Sequence, residues 1–287
     1  MGLSSARCYA CWQHGGIIFG LCEGGYVRKR VLIFDSGVGG LSVYDEIRHV
    51  LPDLDYIYLF DNARFPYGEL PAQELVHRCC GLITRVVAKH AVDLVVIACN
   101  TASTQVLPSL RTMLSVPVVG VVPAIKPAAL LTQNGCIGLL ATPATISRPY
   151  TDKLILEFAA HHRILRCGST ELVIQAERKL AGEEVDQARI EEILLPWSEA
   201  STPPDTVVLG CTHFPLLKEE ILRALPGVKL VDSGSAVARR VRSLVGEMTG
   251  KGLGTSWAYC TRLDTRACTL RGPLSAYGLS ELLAWLD

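Results

Sequence analysis

The sequence predicts an α/β protein of two similar lobes, each a mainly parallel sheet flanked by helices, with the active site in the cleft between them. Three observations carry this. From Val31 onward, short apolar runs alternate with amphipathic helical segments, the pattern of parallel sheets covered on both faces. An apolar run ending in a cysteine and small polar residues, Val95-Val96-Ile97-Ala98-Cys99-Asn100-Thr101-Ala102-Ser103, returns as Val207-Val208-Leu209-Gly210-Cys211-Thr212-His213-Phe214-Pro215. Asp35-Ser36-Gly37 likewise returns as Asp232-Ser233-Gly234. We expect residues 1–27 to form a mobile tail, 28–122 with 233–287 the first lobe, and 123–232 the second.

In order, Val31 to Phe34 reads as a strand, and Asp35-Ser36-Gly37-Val38-Gly39-Gly40 turns it into a helix over 41–51, with Leu41, Tyr44, Ile47 and Leu51 at helical spacing. A glycine-rich turn into a helix is either an anion cradle or simply a tight turn. The dinucleotide fingerprint fails because its third glycine is Ser42. A strand over 54–60 leads to the polar and aromatic loop 61–68, then to a helix carrying Leu75, Cys79, Leu82, Ile83 and Val86 on one face. The strand from Asp93 delivers Cys99; a helix to about Leu114 and a strand over 116–122 follow. The second alternation is a helix over 124–133, a strand over 137–141, and a helix capped by Thr142 and Thr145 that runs to about Phe158. A strand over 164–167 and helices over 169–180 and 188–199 come next. The strand over 206–210 delivers Cys211, and the helix 215–225 and the strand 228–231 follow it. A final helix, strand and helix return to the first sheet.

Composition bounds the function. The 287 residues are 49% apolar and 20% charged, with a formal net charge of zero. That supports a sizeable core and argues against direct nucleic-acid binding, which needs a basic surplus. No stretch approaches the roughly 18 apolar residues that would span a membrane. The 11 cysteines, in a long chain with no signal-peptide pattern, read as reduced cytoplasmic thiols. Cys79, Cys80, Cys136, Cys167, Cys260 and Cys268 read as small core residues. In the tail, Cys8, Cys11, His14 and Cys22 have the makings of a zinc site on paper, but no second closely spaced pair follows Cys8 and Cys11.

Ligands in open α/β sheets sit at the carboxyl ends of strands. Cys99 and Cys211 stand there, each before a predicted helix, where a thiol's pKa falls below about 8.5. Thiols on opposite sides of a planar carbanion would invert a carbon: one removes a proton from one face and the other returns a proton to the opposite face. That scheme requires no metal or cofactor. Asp35 would assist one base and His213 the other. Other uses of the cysteines stay open: a redox pair, although over a hundred residues separate them; a zinc site, with His213 as its nearby third ligand; a cysteine hydrolase built on Cys211 and His213; or two buried structural thiols.

The motifs Asp35-Ser36-Gly37-Val38-Gly39-Gly40, Pro66-Tyr67-Gly68, Ala98-Cys99-Asn100-Thr101-Ala102-Ser103 and Gly210-Cys211-Thr212-His213-Phe214-Pro215 stand in an order that resembles the glutamate racemases, over about Val31 to the C-terminus. The resemblance implies cofactor-independent, two-base interconversion of L- and D-glutamate, supplying D-glutamate to peptidoglycan. It makes Cys99 the base for the D-isomer and Cys211 the base for the L-isomer. Asp35 and His213 become their assistants, and Glu177 a helper of the second cysteine. Ser36, Tyr67, Gly68, Asn100, Thr101 and Thr212, with Asp35 and His213, match substrate-holding positions. The chain looks most like the proteobacterial branch, which implies activation by UDP-N-acetylmuramoyl-L-alanine, with Arg111 and Lys126 as donors to that anionic effector. A monomer or a homodimer fits equally. Rivals are a two-cysteine racemase of aspartate or another small acid, a protein that restrains DNA gyrase, and a catalytically silent effector binder.

Overall fold

A computed structural model of the chain describes residues 11–13, 16–18, 28–246 and 252–285. Strands β1 (Cys11–Gln13) and β2 (Gly16–Ile18) pair as a short antiparallel hairpin. The side chains of the tail's zinc reading lie outside the described residues.

The first alternation comprises β3 (Arg30–Asp35), α1 (Leu41–Val50), β4 (Asp55–Phe60), α2 (Ala72–His90), β5 (Leu94–Ile97), α3 (Asn100–Met113) and β6 (Val118–Gly120). The second runs through α4 (Ile125–Leu131), β7 (Cys136–Ala141), α5 (Pro143–Ile146), α6 (Pro149–Phe158), β8 (Arg163–Gly168), α7 (Glu171–Leu180), α8 (Gln187–Ser198), β9 (Thr206–Leu209), α9 (Lys218–Ala224) and β10 (Lys229–Val231). The chain closes with α10 (Gly234–Val245), β11 (Ser256–Cys260), α11 (Thr265–Thr269), α12 (Arg271–Ala276) and β12 (Leu282–Ala284). Among the described residues the last element is thus a strand, not the expected helix.

Two wholly parallel sheets result, in the orders β12-β11-β4-β3-β5-β6 and β10-β9-β7-β8. Both faces of each central strand are covered, which is why these strands are apolar throughout rather than alternating. In β3, Val31 and Ile33 enter one core with α1 and α10, while Leu32 and Phe34 enter another with α2 and α3. In the smaller sheet, Ile137 and Leu139 face one core and Leu140 the other.

Strand order locates the site. From β3 the chain moves outward to β4 on one side, and from β5 outward to β6 on the other, so connections diverge between β3 and β5. In the second sheet they diverge between β7 and β9. The crevice outside strand carboxyl ends at such a switch point is where α/β sheets bind ligands. Asp35 ends β3, Cys99 follows β5, Thr142 follows β7, and Cys211 follows β9. The chain crosses between the sheets near Val122 and Ser233, where the Ser233 hydroxyl donates to the Val122 carbonyl.

Several local expectations change. The single helix to Phe158 is two, because Pro149 opens α6 and the chain turns at Ser147–Arg148; Thr142 does cap α5, accepting from the Thr145 N–H. Cys211 precedes not an α-helix but a turn and a short 3₁₀ segment, Phe214–Leu217. Cys268 is exposed and so is not a core residue, whereas Cys167 is half-buried and packs against a core of the smaller sheet. Among the described residues, no helix is long and apolar enough to cross a membrane.

Candidate active site

At the end of β3, Asp35 is fully buried and wrapped by its own turn: Oδ1 accepts the Ser36 N–H at 2.7 Å and Oδ2 the Gly40 N–H at 2.7 Å. Burial pushes its pKa up, against the charge of His213 and those two N–H groups. Cys99 stands at the N-cap of α3, with its Sγ 3.7 Å from the Ser36 hydroxyl. A helix N-terminus lowers a thiol's pKa, but here burial, with the charge of Asp35 added, pushes Cys99 well up; the Ala102 N–H and Ser36 only moderate this. The Cys99 pKa is therefore raised by burial rather than lowered by the helix terminus, contrary to the expectation of a helix-activated thiol.

The Cys211 side is built differently. Its Sγ lies 3.8 Å from His213 Nδ1, and His213 Nε2 lies 2.8 Å from Glu177 Oε1. Glu177 Oε1 also accepts the Val38 N–H at 3.0 Å, and Arg266 stands 4.0 Å from Oε2. Burial opposes charge on both His213 and Glu177. Hydrogen bonds and opposite charges outweigh it, holding His213 well above and Glu177 below their ordinary values, so the two form a buried imidazolium–carboxylate pair. The Gly39 N–H also points at His213 Nε2, at 3.2 Å. One ring nitrogen cannot both donate to Glu177 and accept from Gly39. The shorter, charge-assisted contact to Glu177 is the bond, and the Gly39 N–H merely abuts the ring.

This explains the glycine turn. A Cβ on Gly39 would sit 2.3 Å from His213 Nδ1, and one on Gly37 would sit 2.5 Å from Glu177 Oε1. Those glycines let the second sheet's His213–Glu177 pair seat directly on the turn that follows β3. The Ser42 hydroxyl adds a bond across the same seam, donating to the Thr212 carbonyl at 2.8 Å.

Cys99 and Cys211 line one cavity, with Ser36, Tyr67, Gly68, Asn100, Thr101, Thr212 and His213. Asp35 and Glu177 stand behind this lining, each against a residue that forms it. The free volume is about 20 Å³, room for one water and not for an amino acid, so this is a closed form of the cavity. Phe65, Pro66, Thr142, Thr170 and Val173 complete the wall, and sequence reasoning assigned none of them a site role. Thr142 was visible only as a helix cap. Its hydroxyl lies 3.2 Å from Thr101 and 3.0 Å from Thr145, making a three-hydroxyl contact between the sheets. The Asn100 Oδ1 is buried with no hydrogen-bond partner.

The two effector candidates separate. Arg111 turns back on its own neighbourhood, with Nε and a terminal nitrogen each 3.4 Å from the Val118 carbonyl. Lys126 lies over the Phe158 ring and lines a second cavity of about 260 Å³ at the crossing between the sheets, with Asp232, Ser233 and Arg240. Arg111 is not among that cavity's lining residues. Among the described residues, no three His, Cys, Asp or Glu side chains are grouped to hold a metal ion, so His213 does not complete a zinc site with the two cysteines.

Residues 34–241 match the family model described as Asp/Glu/Hydantoin racemase, and the chain belongs to that family of racemases. Within it, the chain stands with the glutamate racemases. It is 55% identical over 258 residues to a glutamate racemase of Pectobacterium carotovorum, covering 89% of this chain and 90% of that one. It is 54% identical over 258 residues to a glutamate racemase of Salmonella typhimurium, covering 89% and 91%. Among solved structures, Escherichia coli glutamate racemase in complex with L-glutamate and the activator UDP-MurNAc-ala superposes with a TM-score of 0.86 at 52% identity, covering 90% of this chain and 98% of that one. The Thermus thermophilus glutamate racemase, in complex with β-chloro-D-alanine, does so with a TM-score of 0.70 at 30% identity, covering 91% and 97%.

The buried pair has a pH signature. His213's folded pKa lies above its unfolded value of about 6.5, so its contribution is full below that pH and is lost as pH rises through the folded value. Glu177's pKa is depressed, so its share is already present above about pH 4.5. Glu177→Gln should therefore destabilise the chain by about 1.5–3 kcal/mol at pH 6, with the gap narrowing as pH rises. Urea unfolding from pH 6 to 9 checks this, and a gap independent of pH would contradict the pairing.

Proposed function

We propose that this chain interconverts L- and D-glutamate by a two-base mechanism in which Cys99 and Cys211 act on opposite faces of Cα. The observation that carries the reading is the meeting of two thiols, delivered by the switch points of two different sheets, in one closed cavity. The relatives named glutamate racemase, and the Escherichia coli structure holding L-glutamate, support the substrate.

With L-glutamate bound, Cys211 as thiolate takes the Cα proton: a C–H bond breaks and an S–H bond forms. His213, whose pKa is held up by its contacts to Cys211 and Glu177, lies against that sulfur and offsets its charge during the transfer. Cys99, a neutral thiol, gives its proton to the opposite face, so the configuration inverts and the two sulfurs exchange protonation states. From D-glutamate the steps reverse, and Asp35, whose pKa burial raises, is the group poised to accept the Cys99 proton beforehand. The start of α3 directs backbone N–H groups and the positive end of its dipole toward the ligand's carboxylate. Ser36, Thr101 and Thr212 add hydroxyl donors, the Tyr67–Gly68 segment forms the wall beside them, and the Asn100 carbonyl receives the ammonium. Closure of the sheets excludes water, which strengthens each of these interactions at the carbanion. The scheme uses no metal or cofactor.

We place this activity in the cytoplasm, feeding D-glutamate into peptidoglycan assembly. Its effector is UDP-N-acetylmuramoyl-L-alanine, as the activator in the Escherichia coli structure supports. Lys126 and Arg240 at the crossing cavity are the better-placed cations for part of such an anion, and Arg111 is set aside. A ligand that bridges the crossing would bias the opening that the 20 Å³ cavity requires.

Two measurements test the reading. In heavy water, product glutamate should carry deuterium at Cα from its first appearance in either direction; an inverted product without label would overturn the two-base scheme. Adding the nucleotide precursor should raise the rate in wild type and do so less in Lys126→Ala. Equal rates with and without it would remove the effector.

A further inference from the structure

Asp61 lies one residue beyond β4, and its N–H donates to the Asp35 carbonyl at 3.0 Å, carrying the β3–β4 ladder past the strand ends. It is fully buried, and its carboxylate is saturated. Oδ2 accepts the Tyr67 hydroxyl at 2.7 Å and Arg78 Nε at 2.9 Å; Oδ1 accepts Arg78 Nη2 at 2.8 Å and the Thr261 hydroxyl at 2.5 Å. A carboxylate offers about four lone-pair sites, and four donors fill them. Arg78 approaches as a two-pronged fork from α2, the geometry that fixes both oxygens at once.

This bears on the cavity wall. Tyr67 lines the active-site cavity, but its hydroxyl is committed to Asp61 and its ring packs on Phe34 at 6.2 Å between centroids. What Tyr67 and Gly68 offer a ligand is therefore ring face and backbone, and their placement depends on where that hydroxyl is held. The loop's other end is fixed to the segment after β11: the Ala63 N–H donates to the Thr261 hydroxyl at 3.1 Å, and Asn62 exchanges two bonds with the Arg262 backbone, at 2.6 and 2.9 Å.

We propose that Asp61, clamped by Arg78 and Thr261, is a positioning residue of the racemase site, which fixes the Tyr67–Gly68 wall through the Tyr67 hydroxyl. This rests on the glutamate racemase reading. Asp61 touches no substrate. Despite its burial, which opposes charge, the donors from Arg78, Thr261 and Tyr67 keep its carboxyl below the ordinary value, so the anchor stays ionised.

The test compares wild type, Asp61→Asn, Tyr67→Phe, the double variant and Thr261→Val in steady-state racemisation of each glutamate enantiomer. A misplaced wall weakens substrate binding, so Asp61→Asn and Tyr67→Phe should each raise KM about tenfold for both enantiomers, with kcat changing less, as for loss of one charge-assisted bond. The double variant should be no worse than the more severe single one, because both break the same link. Thr261→Val should raise KM in the same sense by a smaller factor. A purely structural role would instead lower kcat through lost active protein and leave KM alone. If Asp61→Asn fails to fold, Tyr67→Phe and Thr261→Val decide alone. A wild-type KM in Tyr67→Phe, or effects that multiply in the double variant, would overturn the assignment while leaving racemisation intact. A wild-type chain that does not racemise glutamate would overturn both readings.

Discussion

His213 and Glu177 form an ion pair with almost no exposure to water, at the seam where two sheets meet. Desolvating two charges costs several kcal/mol per ion, and their attraction repays it only where further hydrogen bonds satisfy the remaining donors and acceptors. One of those bonds comes from across the seam, where the Val38 N–H of the glycine turn reaches Glu177. The pair is complete only when the sheets are closed on each other. The absence of side chains at Gly37 and Gly39 permits this close approach, and the small cavity accompanies it.

From that pair follows an asymmetry between the two thiols. Cys211 has an imidazolium beside it; Cys99 has a hydroxyl and a buried carboxylate. The two thiols thus sit in different electrostatic surroundings, a cation beside one and a buried carboxylate with low-dielectric burial around the other. In the proposed cycle each turnover moves a proton on to one sulfur and off the other, so the two surroundings serve opposite halves of the reaction. For the reverse direction the proposal assigns Asp35, buried beside Cys99 with its pKa raised, as the group that takes the Cys99 proton.

Much of this was legible in the chain. Apolar strands ending in Cys99 and Cys211, and Asp35 at the close of another strand, carry their position in their local sequence, because a strand's carboxyl end is where a buried run stops. Glu177 was legible only through family resemblance, since it reaches His213 from a helix that gives no local signal. Thr142, Thr170, Val173 and Phe65 enter the cavity by the juxtaposition of two sheets, which no spacing encodes. The direction of the Cys99 shift was misread for a related reason. A helix N-terminus is a local property, whereas the burial that outweighs it is tertiary. Arg111 was chosen for its charge near the crossing, but its guanidinium folds back on the Val118 carbonyl. Asp61 and Arg78 carry no local signal, because their clamp is made between a loop, a helix and the segment after β11.

The claim beneath all of this is that each sulfur addresses one face of a single bound substrate. It is tested most directly by exchange of Cα deuterium from α-deuterated L- and D-glutamate in Cys99→Ala and Cys211→Ala, each lacking one base. The account predicts that Cys99→Ala washes deuterium only from the L-isomer and Cys211→Ala only from the D-isomer, with neither inverting its substrate. Exchange from both isomers in either variant, or from the opposite isomer in each, would contradict it.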